Sequence, residues 1–132
     1  MNTKLLMTSS ALILGLAGVF ALFAPDVLLS TQGAAVTGNL SVMIQLMGAL
    51  YFSFALMNWT AKDSTIGGVY ARPVSLANFG HFLTGMLVLL RYQLSNEMRV
   101  SVLAALVVYA IYAVCFYWLV FRSTGVKSSS RT

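Results

Sequence analysis

The 132-residue chain predicts an all-α fold: an integral membrane four-helix bundle, one domain, with both termini on the cytoplasmic side. Three observations predict it. Four apolar runs, about residues 5–23, 40–59, 74–90 and 100–121, fill most of the chain. Each approaches the roughly 20 residues an α-helix needs to cross a hydrocarbon core, where a span must satisfy its backbone N–H and C=O groups internally. Charged residues make up only 8% and hydrophobic ones 59%, whereas a soluble domain carries about 25% charged residues. Finally, the bases divide unevenly between alternate connections. Lys4, Lys62, Arg72, Arg122, Lys127 and Arg131 fall on one side, Arg91 and Arg99 on the other beside Glu97 and Asp26. Lysine and arginine accumulate on the cytoplasmic side of a membrane, which orients the chain.

The first run follows Lys4 and ends Ala21-Leu22-Phe23-Ala24, the outline of a signal peptide. Cleavage after Ala24 would set Leu22 at the −3 position and Pro25 just past the cut, both unfavourable, so a retained helix is expected. Ala11, Gly15 and Gly18 share one of its faces. Pro25-Asp26 closes the helix and opens the longest connection, residues 25–39, whose Val27-Leu28-Leu29 is placed in the interface or beneath the bundle.

The second span is built around Gly48, with Ala49 and Ser53 as a small-xxx-small pair, Gln45 in its outer half and Asn58 at its cytoplasmic end. The connection over residues 60–73 contains Gly67-Gly68, which permits a sharp turn, and Pro73, which suits the first turn of the third helix. Ala77, Gly80, Thr84 and Gly85 give that third helix a small-residue surface of the kind that lets helices pack closely in lipid. Trp59 and Tyr70, with Tyr117 and Trp118 of the last span, fall at the depth of an aromatic belt. Residues 123–132 form a basic, serine-rich tail expected to be flexible. The segments 1–63 and 64–132 each hold one pair of spans but share no repeated motif.

Candidate site residues are few. His81 lies inside the third span between Ala77 and Gly85 at i−4 and i+4, and ionisable groups at membrane depth mark functional sites by default. Asn78 precedes it by one turn. If the second and third helices are antiparallel neighbours, Asn58, Asn78 and His81 converge, with Tyr51 and with Tyr109 or Tyr112 completing a polar cluster. Such a cluster is either an interhelical hydrogen-bond network or a pocket for a headgroup, a quinone or another amphipathic molecule. Arg72 opposes the macrodipole at a helix start and calls for a lipid phosphate, Asp63 or a protein carboxylate; Tyr70 lies beside it as a second headgroup or partner contact.

The same inventory excludes several classes. The net charge of +5 is spread over helix ends rather than gathered in a patch, so nucleic acid is not an expected partner. Cys115 is the single cysteine and has no ligand-spaced neighbour, so no metal site is expected. Asp26, Asp63 and Glu97 all lie at helix ends or in connections, which leaves no membrane-embedded carboxylate for proton-driven export. No catalytic residues stand out, and the residues name no cofactor.

Ala24-Pro25-Asp26 after the first helix, Gly48 and Asn58-Trp59-Thr60-Ala61-Lys62 in the second, and His81, Gly85 and Leu90-Arg91 in the third give a pattern that resembles the small bacterial four-helix membrane proteins of the DoxX-like group. The resemblance implies a bundle in the bacterial cytoplasmic membrane, and some members of the group are linked to oxidoreductase or quinone-related systems. It carries over no catalytic set. The function expected is therefore non-enzymatic: binding of a lipid-like ligand, or service as an accessory subunit to a membrane partner or a second copy of the chain. The alternatives are a redox-linked component that contacts a quinone or cofactor, and a small transporter or channel.

Overall fold

The computed structural model describes residues 2–63 and 71–122. It is all-helical: α1 (Thr3–Phe23), α2 (Pro25–Thr31), α3 (Gly38–Ala61), α4 (Ala71–Ser95) and α5 (Val100–Arg122). Four of these, all but α2, are long and apolar enough to cross a membrane. The chain divides into two compact units, Met1–Asp63 and Ser64–Thr132, each built on one pair of long helices.

In the first unit, the Asn2 side-chain oxygen accepts from the backbone N–H groups of Lys4 and Leu5, which caps α1 where four N–H groups lack helical partners. α1 buries Met7, Ser10, Ala11, Leu14, Gly18 and Ala21, a stripe at three- and four-residue spacing. α3 answers with Gly48, Ala55 and Asn58. The backbones touch where the two glycines meet. A Cβ on Gly48 would fall 2.8 Å from the Gly18 carbonyl oxygen and 2.9 Å from the Leu22 nitrogen, and one on Gly18 would fall 2.7 Å from the Phe52 nitrogen. One turn away, a Cβ on Gly15 would lie 3.4 Å from that of Ala55.

Within the connection over residues 25–39, residues 25–31 form the short helix α2. Pro25 begins it, where a missing N–H is harmless, and Leu29 is buried beneath it. It ends in a Schellman turn: Gly33 takes a φ of +70°, its N–H donates to the Ser30 carbonyl, and the Ala34 N–H donates to that of Leu29. The α2 corner is tied to α3 by Ser41 Oγ donating to Asp26 Oδ1 at 2.6 Å. Gln45 Nε2 donates to the Leu22 carbonyl at 3.2 Å, so this glutamine is a packing hydrogen bond between α1 and α3. At the opposite end, Lys4 Nζ lies 2.7 Å from Asp63 Oδ1, and Lys62 Nζ lies 3.9 Å from Oδ2 and 3.4 Å from the Trp59 ring centre. The Lys4 ammonium, donating to Asp63, holds that carboxyl below its ordinary range.

In the second unit, α4 and α5 pack as an antiparallel hairpin. Phe79 near the start of α4 meets Tyr117 and Phe121 near the end of α5, at 5.9 and 6.3 Å between ring centres. α4 runs longer than the apolar run over 74–90 suggests. Its polar flanks extend the helix to Ala71 and Ser95, so Arg72 and Arg91 are both helical. The small residues of α4 do not form one packed face: Ala77 and Thr84 are exposed, and a Cβ on Gly80 would meet nothing within 4 Å. Ala49 and Ser53 of α3 are likewise exposed.

Most large apolar side chains of α1, α3, α4 and α5 face outward, among them Leu16, Leu46, Val88 and Val114. A helix that is apolar on every side belongs in lipid. Ser53 Oγ donates to the Ala49 carbonyl and Thr84 Oγ1 to that of Gly80, so these exposed hydroxyls are satisfied within their own helices.

Candidate intramembrane site around His81

His81 stands ten residues into α4, about 15 Å along its axis and so near mid-membrane for a core roughly 30 Å thick. Its imidazole is part-buried and meets the ring of Tyr109 from α5 at 5.6 Å between centres. The Tyr109 hydroxyl and His81 Nε2 lie 3.4 Å apart. The hydroxyl donates when the imidazole carries its proton on Nδ1, and accepts in the other tautomer.

An aromatic floor supports this pair. Phe82 is fully buried and packs edge-on against His81 and Tyr109, at 5.2 and 5.3 Å. Its other side stacks on Tyr112 at 4.8 Å and Phe116 at 5.7 Å. α5 supplies these rings at three- and four-residue spacing (109, 112, 116), so they line one side of the helix. Gly85 supplies the space, since a β-carbon there would overlap the Tyr109 ring. The glycine is therefore a seat for the tyrosine.

Of the expected residues, the structure brings His81 and Tyr109 into contact, and Tyr112 packs behind them on Phe82. Asn78, one turn earlier on α4, is fully buried, and its Nδ2 donates to the Val74 carbonyl at 2.9 Å. Asn58 belongs to the first unit, where its Nδ2 donates to Ser10 Oγ at 3.0 Å; both residues have no exposed surface. Ser10 in turn donates to the Met7 carbonyl. Tyr51 also belongs to the first unit and lines an apolar groove with Ala17, Phe20, Ala21, Leu28, Ile44 and Met47. Arg72 is exposed in the first turn of α4, and Tyr70 lies outside the described residues.

Three contributors escape a reading of the sequence. Ser10 is marked only by falling on the Ala11–Leu14–Gly18 side of α1. Phe82 looks like any other apolar residue of its span, although its adjacency to His81 is a signal. The seat at Gly85 is hidden within an apparent small-residue stripe. Among the described residues, no three His, Cys, Asp or Glu side chains gather as a metal-binding group.

No protein-family model, no curated protein and no solved structure matches the chain.

Proposed function

We propose that the chain is a non-enzymatic protein of the bacterial cytoplasmic membrane that binds an amphipathic, lipid-like molecule at His81 and Tyr109. The observation that carries this reading is the imidazole–phenol pair set on a wall of stacked rings near the middle of a transmembrane hairpin. An ionisable side chain at that depth is expensive in hydrocarbon and is retained for a purpose. Phenol and imidazole together offer a donor and an acceptor to one carbonyl or hydroxyl of a ligand, and the rings beside them suit an apolar body. A flat quinone head, whose carbonyl oxygens accept hydrogen bonds, fits the same imidazole–phenol chemistry and is the second reading.

The test is native mass spectrometry of the protein extracted gently from its own membrane. A bound mass of lipid or quinone size is expected on the unaltered chain, and its loss is expected in His81→Ala and Tyr109→Phe variants that still fold. A bare chain, or a set of bound masses that is the same in both variants as in the unaltered chain, overturns the proposal.

A further inference from the structure

The groove of the first unit holds a volume of about 360 Å³, its wall is wholly apolar, and α1, α2 and α3 all contribute to it. It is a fixed feature of the fold. The Gly18–Gly48 contact and the Gln45–Leu22 hydrogen bond set the separation of α1 and α3, and Ser41 fastens the α2 corner that holds Leu28 over the groove. That volume lies within the range of small-ligand sites, at its lower end.

The groove has one polar end. Ser41, Ile44, Met47 and Tyr51 follow one another along one side of α3, so the Asp26–Ser41 pair stands about 5 Å beyond the Ile44 end of the wall. Ser41 lies in the first turns of a 24-residue spanning helix, at headgroup depth. Asp26 is exposed, and among the described residues no lysine or arginine pairs with it.

We propose that this groove is a binding site for a zwitterionic phospholipid with a primary ammonium headgroup. One acyl chain lies along Ala17, Phe20, Leu28, Ile44 and Met47, and the ammonium donates to the Asp26 carboxylate. The site is separate from that at His81 and does not depend on it. It also runs against the overall charge of +5, which by itself draws anionic lipids.

The full chain, stripped of lipid in detergent, is titrated by native mass spectrometry with phosphatidylethanolamine, phosphatidylcholine and phosphatidylglycerol of identical chains. Phosphatidylethanolamine is expected to bind about threefold more tightly than either of the others, the scale of one exposed ion pair. Asp26→Asn should erase that preference. Ala17→Trp, at an exposed position that fills the groove, should weaken all three lipids while circular dichroism shows an intact helical fold. His81→Ala should alter none of these affinities. Equal binding of phosphatidylethanolamine and phosphatidylglycerol by the unaltered chain overturns the proposal, as does a preference that survives Asp26→Asn, unaltered binding to Ala17→Trp, or loss of the preference in His81→Ala.

Discussion

At the scale of single residues, polar side chains in this chain are matched to specific neighbours. Asn58 and Ser10 have no exposed surface and meet each other, although the sequence gives no sign that position 10 is the partner. A hydrogen bond between helices in lipid contributes on average about 0.6 kcal/mol, so this one aligns α1 and α3 more than it holds them. Gly85 has a larger consequence than its size suggests, because it seats the Tyr109 ring. Gly85→Ala should push that ring away and lengthen its contact with His81, at an overpacking cost of about 1–3 kcal/mol. His81 is the single histidine of the chain, so selective ¹⁵N-histidine labelling gives one imidazole to follow by NMR. Its Nε2 resonance is expected to shift in Gly85→Ala in the same direction as in Tyr109→Phe. An unmoved resonance would show that the ring accommodates the methyl group without leaving the imidazole.

At the scale of elements, the glycine-bearing helices behave differently, and composition does not tell them apart. α1 and α3 use Gly18 and Gly48 to bring backbone against backbone, whereas Gly80 of α4 faces open space. Gly48→Ala sets a methyl group against the Gly18 carbonyl and the Leu22 nitrogen, which cannot rotate aside. We expect it to destabilise the first unit by about 1–3 kcal/mol, read as a lowered thermal midpoint in detergent micelles. Gly80→Ala serves as the comparison and is expected to be neutral, or to stabilise α4 by up to about 1 kcal/mol through helix propensity. Equal losses in both variants would mean that the Gly18–Gly48 approach contributes nothing special. The four long helices were legible because apolar length is a strong signal. The α2 helix was not, since a seven-residue element in an apolar connection has no periodicity of its own and depends on Leu29 finding cover.

For the whole molecule, the four spanning helices and their outward apolar surface indicate a multi-pass membrane protein. Orientation rests on the distribution of lysine and arginine. In a Cys115→Ser background, single cysteines at Ala35→Cys and Met98→Cys should react with an impermeant thiol reagent on intact cells. Lys62→Cys and Lys127→Cys should react only after permeabilisation; the reverse pattern would place both termini outside. The candidate site was legible in part. His81 stood out because a histidine is conspicuous in an apolar run, and Tyr109 was one of two tyrosines at suitable depth. The pairing itself depends on how α4 and α5 are rotated, and hydropathy does not determine rotation. The sequence likewise marked Asp26 only as the end of a helix, because the groove beside it requires three helices to be in place.

The contact of Lys4 with Asp63 joins two residues at opposite ends of the first unit in sequence, and every contact that closes this unit lies between them. During synthesis these residues are all in hand before α4 has been made. Domains form as units, N-terminal first, while a chain is still growing. The first hairpin therefore carries, within the first-made half of the chain, the contacts that close it, so its assembly need not wait for the second pair of helices.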